Sequence, residues 1–132
     1  MNNIPTSHQD LLADETKAIA FLATTMSDGS PQVTPVWFNT DGEHILINTA
    51  KDRIKDRNMR AHAKIAMAIL DPDSLYRYIQ IRGRVINYTE DGAREHINIL
   101  AGKYTDSAYF ELNSHNEVRV IFKILPENID AH

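Results

Sequence analysis

The stretch Pro31-Gln-Val-Thr-Pro-Val-Trp-Phe-Asn-Thr-Asp-Gly-Glu-His-Ile-Leu-Ile-Asn-Thr49 decides the fold. Two runs rich in β-branched and aromatic residues flank Asp41-Gly42, a dipeptide that tolerates positive φ and favours a two-residue hairpin. The pattern predicts strands over Pro31–Thr40 and Glu43–Thr49. Upstream, Ala18–Met26 is a nearly continuous apolar run, and Ser27-Asp28-Gly29-Ser30 is a turn signal. The first third therefore reads as a three-strand meander, preceded by a short helix over Ser7–Asp14 with Leu11 and Leu12 inward.

Downstream, Lys51–His62 has helical composition, and Thr49 and Asp52 have the spacing of a capping box. Lys64–Leu70 reads as a fourth strand, ended by Asp71-Pro72-Asp73. Tyr78–Val85 alternates, with Ile79, Ile81 and Val85 on one face and Tyr78, Gln80, Arg82 and Arg84 on the other. Gly83 falls on the apolar face and marks a bulge or a close backbone approach. Thr89 is the expected cap of a second helix, with Glu90 and Asp91 in its first turn and Ala93, Ile97, Leu100, Ala101 and Tyr104 along its inner face. Asp106–Asn116 reads as irregular, and Val118–Leu125 as the last strand, stopped by Pro126. The expected fold is mainly β: one domain over residues 1–132, a small six-stranded antiparallel barrel with two or three short helices.

The 132 residues contain no cysteine, which removes disulfides, thiolate metal sites and cysteine nucleophiles together. The first fourteen residues lack a signal-peptide pattern and no run approaches the ~18 apolar residues of a membrane span. A cytoplasmic protein without membrane contact is the expectation. The net charge of −4 argues against a nucleic-acid partner. The six histidines fall into no metal-ligand spacing, so no metal site is expected. Gly-x-Ser-x-Gly, Gly-x-Gly-x-x-Gly and the Walker phosphate loop are all missing. No spacing singles out a catalytic residue.

Charge is unevenly placed. Residues 51–64 carry Lys51, Arg53, Lys55, Arg57, Arg60 and Lys64 against Asp52 and Asp56, a net +4. The other eight basic and sixteen acidic residues leave the remainder at −8. One reading is an anion site, where a helix N-terminus adds unpaired N–H groups, Arg53 a bidentate donor and Lys55 a point charge. The other is a wet helix face with Asp56–Arg60 pairing. Trp37, the sole tryptophan, is either core packing or one wall of a planar-ligand site.

The ordered set Pro31–Phe38, Ile45–Thr49, Lys51–Arg60 and Tyr76–Val85 followed by Thr89–Ala93 resembles the pyridoxamine 5′-phosphate oxidase-like split-barrel superfamily. It is most similar to the branch that binds the deazaflavin coenzyme F420. The resemblance covers roughly residues 5–125. It implies a six-stranded split barrel, a homodimer, and one cofactor in each of two interface clefts. It also implies that Gln32, Thr34, Pro35, Val36 and Trp37 run beside the cofactor ring. Arg53 and Lys55 match the phosphate-binding Arg-x-Lys pair, with Asn58 nearby and Asn48 and Thr49 opening toward the phosphate. The implied activity is hydride transfer from reduced deazaflavin to an unsaturated small molecule. FMN in the same fold is the alternative cofactor, for an oxidoreductase or electron carrier, and a non-enzymatic cofactor- or haem-binding module is the third reading. The end Ile124–His132 lacks the Arg-rich, Glu-Phe-Trp-containing segment of true pyridoxamine phosphate oxidases, so vitamin B6 oxidation is not expected.

Overall fold

The computed structural model describes Met1 and residues 3–132. A short 3-10 helix over Thr6–Leu12 buries Leu11 and Leu12, as their side-by-side apolar placement predicts. The strands are β1 (Ala20–Thr25), β2 (Pro31–Val36), β3 (Phe38–Thr40), β4 (Ile45–Ala50), β5 (Lys64–Asp71), β6 (Ser74–Thr89) and β7 (Arg119–Ala131). Helix α1 (Ile54–Ala61) joins β4 to β5, and α2 (Ala93–Tyr104) follows β6.

The sheet has seven strands rather than the expected six, all antiparallel, in the order β2-β1-β5-β6-β7-β4-β3. The extra strand arises because Pro31–Thr40 is not one ladder. Its first part pairs with β1, ending at Ala20 opposite Val36; its second pairs with β4, starting at Phe38 opposite Ile47. Only Trp37 lies between. The two edges of the sheet are thus consecutive in the chain and at most about 7 Å apart there. A sheet whose edges are tied this closely has to curl, and it curls around one apolar core in which Phe38, Ile45, Ile47, Ile69, Ile79, Ile81, Val120, Phe122 and Ile124 are fully buried.

Several local expectations shift. The Asp41–Gly42 hairpin closes over four residues, not two: Thr40 pairs with Ile45, and the Asp41 carboxylate accepts from the Glu43 and His44 N–H groups at 3.0 and 2.7 Å. Helix α1 starts at Ile54 with Arg53 at its cap, so Thr49 does not cap it. The Asp52 N–H instead donates to Asp56 Oδ2 at 2.9 Å across a turn in which Asp52 has φ 71°. Helix α2 is entered through Gly92 at φ 75°; the Thr89 hydroxyl accepts from the Asp91 N–H at 3.0 Å, and Glu95 is the acid in the first turn.

The last strand runs through Pro126 to Ala131. Proline is tolerated because it sits at a bulge: Arg82 pairs with Asn128 and Gly83 with Pro126, so Glu127 is skipped in the ladder with β6. Gly83 is required there. A Cβ on it would overlap the carbonyl oxygen of Leu125 and press on Pro126 Cα at 3.3 Å, and both are backbone that side-chain motion cannot clear. Gly83→Ala is expected to destabilise the fold by about 3 kcal/mol, read as a lower midpoint in urea denaturation. A midpoint shift worth under ~0.5 kcal/mol would mean that the strands slide apart freely.

Candidate functional site

At the seam where β2 passes into β3, a cleft of about 320 Å³ opens. Pro35, Val36 and Trp37 come from the seam, Asn48 and Thr49 from β4, and Arg53 and Lys55 from the entry of α1. The far wall is Ile97 and Leu100 of α2, Phe110 of the irregular segment, and Arg119 at the start of β7. The cleft is polar at one end and apolar and aromatic at the other.

The apolar end is built of packed rings. Trp37 stacks on Tyr104 with centroids 5.5 Å apart and planes 6° apart, and Phe110 meets it edge-on at 6.0 Å. Tyr104 is itself tied down, its hydroxyl donating to the Ala18 carbonyl at 2.6 Å. Burial holds that phenol un-ionised, its pKa pushed up to about 12. Trp37 thus packs against two rings and also lines the cleft.

The polar end gathers Arg53, Lys55 and Arg119. Burial, and then the neighbouring Arg53 and Arg119 charges, hold the Lys55 ammonium below its ordinary value. Its Nζ donates to Thr34 Oγ1 at 3.3 Å. One carboxylate serves both arginines: Glu117 Oε1 lies 3.1 Å from Arg53 Nη2, and Oε2 lies 3.1 Å from Arg119 Nη1. The turn that presents Arg53 and Lys55 is pinned from below by Asp56, 1% exposed, which accepts from the Asp52 N–H and from Arg60 Nε at 2.8 Å.

The ten residues expected from the sequence divide. Pro35, Val36, Trp37, Asn48, Thr49, Arg53 and Lys55 line the cleft, and Thr34 touches it through Lys55. Gln32 stands farther along β2, where its Oε1 is shielded without a hydrogen-bond partner among the described residues. Asn58 turns away: it is 7% exposed and donates to Thr24 Oγ1 at 3.0 Å and to Met26 Sδ at 3.3 Å. Of the other basic residues in the window, Lys51 pairs with Glu90 and Arg60 with Asp56, as a solvated face would.

Sequence reasoning missed Arg119, Phe110 and His96. The signal for Arg119 was a lone cation inside the apolar run Val118-Arg-Val-Ile-Phe122. His96, next to core-facing Ile97, is itself buried, 6% exposed. Position 96 is three after Ala93 and four before Leu100, so it lies on the same buried stripe.

His96 belongs to a relay across four elements. Arg119 Nε can only donate, so the group 2.9 Å away must be Asn48 Oδ1. That orients the Asn48 amide, whose Nδ2 donates to the Ala93 carbonyl at 2.9 Å and to His96 Nδ1 at 3.0 Å. His96 is therefore the Nε2–H tautomer, donating to Asn39 Oδ1 at 2.8 Å. The relay fixes Arg119 at the cleft wall. Burial, then the Arg119 charge, lowers the His96 pKa to about 4.

The unfolded chain takes a proton on His96 below its ordinary 6.5, while the folded chain refuses it until about 4. Stability that is full above 6.5 is lost as pH falls through that interval, by roughly 3 kcal/mol. Glutamine offers one acceptor and one donor but no titration. His96→Gln is expected to flatten that part of the stability–pH curve in urea denaturation; identical slopes in the two proteins would refute the assignment.

The family model for pyridoxamine 5′-phosphate oxidase matches residues 5–132. Among curated protein sequences, none matches the chain. Among solved structures, an F420 reductase is 33% identical, with 96% of this chain and 98% of that one covered and a TM-score of 0.84. The conserved protein Rv2991 from Mycobacterium tuberculosis is 18% identical over 97% of this chain and 84% of its own, with a TM-score of 0.73. HupZ from Group A Streptococcus is 20% identical over 97% and 93%, with a TM-score of 0.66. The last two share the fold. With the family model spanning nearly the whole chain, and the reductase alike over the same length, the chain belongs to the pyridoxamine 5′-phosphate oxidase family.

Proposed function

We propose that the chain is an oxidoreductase subunit that binds coenzyme F420 in the seam cleft and reduces an unsaturated small molecule. The observation that carries this is the polarity of one cleft: Arg53, Lys55 and Arg119 at one end, Trp37, Phe110, Ile97 and Leu100 at the other. A planar, anion-tailed cofactor has that polarity. The similarity to an F420 reductase supports the deazaflavin over FMN, the second cofactor that the same residues would accept.

The residues fit the group. Arg53, Lys55 and Arg119 would hold the phosphate, and Pro35, Val36 and Trp37 would lie along the ring. The cofactor supplies hydride chemistry; the chain supplies grip, orientation and a wall that excludes water. Tyr104, locked neutral behind Trp37, keeps that wall from shifting. We also propose a homodimer. Phe21 and Val33, 38% and 62% exposed, leave the outward face of β1 and β2 apolar, and a second copy of that face would cover it. Val33→Glu would then give a monomer in analytical ultracentrifugation; a wild-type chain already monomeric at micromolar concentration would refute this.

Titration of the chain with F420 and with FMN, read through Trp37 fluorescence, tests the cofactor assignment. Tight F420 binding is expected, weakened about 100-fold by Arg53→Ala with Lys55→Ala, since each lost charge-assisted contact costs at least ~1.5 kcal/mol. Unchanged affinity in that double variant would move the cofactor elsewhere.

A further inference from the structure

Glu117 is unusual among the acids of this chain. Its side chain is 8% exposed, and each carboxylate oxygen is held by a different arginine of the cleft's cationic end. It stands behind that end rather than lining it. Arg119, 6% exposed in its side chain, spends Nη1 on Glu117 and Nε on Asn48, which leaves Nη2 without a hydrogen bond among the described residues. Arg53 is half exposed and gives only Nη2 to Glu117. The arginines are thus partly neutralised but still have donors to offer.

Three cations against one buried carboxylate leave the site with two positive charges. A ligand's anionic group that binds beside Lys55 and the free arginine nitrogens also sits within a few ångströms of the Glu117 charge. Each further negative charge on that group gains from the cations but meets Glu117 in a poorly screened environment.

We propose that Glu117 determines specificity, favouring a singly charged phosphodiester over a doubly charged phosphomonoester in this cleft. This rests on the assignment of the cleft as a cofactor site and sharpens it. F420 carries a phosphodiester; FMN carries a phosphomonoester that is mostly a dianion at neutral pH, because its second ionisation falls near 6. The carboxylate takes up the excess charge that a dianion would otherwise use, while keeping both guanidinium groups oriented for a monoanion.

The test compares wild type, Glu117→Gln and Glu117→Asp, at fixed pH and low salt, by Trp37 fluorescence titration. Glutamine keeps the size and one acceptor but removes the charge. In Glu117→Gln the affinity for FMN is expected to rise ~10-fold or more while that for F420 changes by less than ~3-fold. Glu117→Asp keeps the charge and should hold the ratio within ~3-fold of wild type. A role confined to holding the arginines in place would move both ligands together, and that parallel change would overturn the proposal, as would an FMN affinity that does not rise. A second arm uses phenyl phosphate and methyl phenyl phosphate, which carry the same contrast of charge without a flavin. If the wild type bound neither cofactor, the cofactor assignment would fall, and the two phenyl esters would still decide the charge preference: a ratio unmoved by Glu117→Gln there would sink it.

Discussion

The structure depends on one covalent constraint: Trp37 joins the two outermost strands of a seven-stranded sheet. No hydrogen-bond ladder connects β2 to β3. The chain itself does, through one residue. Because consecutive Cα atoms stand 3.8 Å apart, the two edges are forced together at that point. The curl, the enclosed core and the position of the cleft all follow. Apolar side chains on the concave side have nowhere to go but inward, which is why Phe38 and Phe122, which flank Ile47 in one row across β3, β4 and β7, are both fully buried.

The same seam explains why polar groups can sit so deep. Strand pairing is interrupted at Trp37, so no paired strand closes the sheet there, and the ends of β4 and β7 and the entry of α1 all reach the gap. Bringing Arg53, Lys55 and Arg119 together is unfavourable without counter-charges and hydrogen bonds. The fold meets that cost in three ways: the carboxylate of Glu117, the Thr34 hydroxyl on Lys55, and the relay from Arg119 through Asn48 and His96 to Asn39. Every member of the relay is satisfied, and its direction is set by the one group that has no acceptor, the guanidinium.

Much of this was legible in the amino-acid order. Alternation located β6, the Asp-Gly turn located β3 and β4, and the charge window located Arg53 and Lys55. What was not legible depended on pairing over long distances. Nothing in Pro31–Thr40 says that its two halves serve opposite edges, because a strand's ladder partners are not written in its own pattern. Thr49 has the look of a cap, but β4 holds it to Ala50 by pairing with β7, and the helix cannot begin until the chain has turned through Asp52. Pro126 looked like a stop, and a bulge opposite Gly83 absorbed it. Arg119 and His96 were hidden for a related reason. Each is a single polar residue on an apolar element, and what positions it is a set of partners on three other elements.

The division of the basic window shows how far local reasoning reaches. Six cations within fourteen residues support a wet face and an anion site about equally on composition. The deciding fact is orientation. Asp56 is buried and holds both the Asp52 N–H and Arg60, so it fixes the turn in a left-handed residue that would otherwise be disfavoured. With that turn set, Arg53 and Lys55 face the cleft, while Lys51 and Arg60 find carboxylates outside it. The buried acid in the middle of the basic run therefore sorts the cations into those that stay solvated and those that can hold a ligand. An anion site here requires Asp56 as much as it requires the arginine and the lysine.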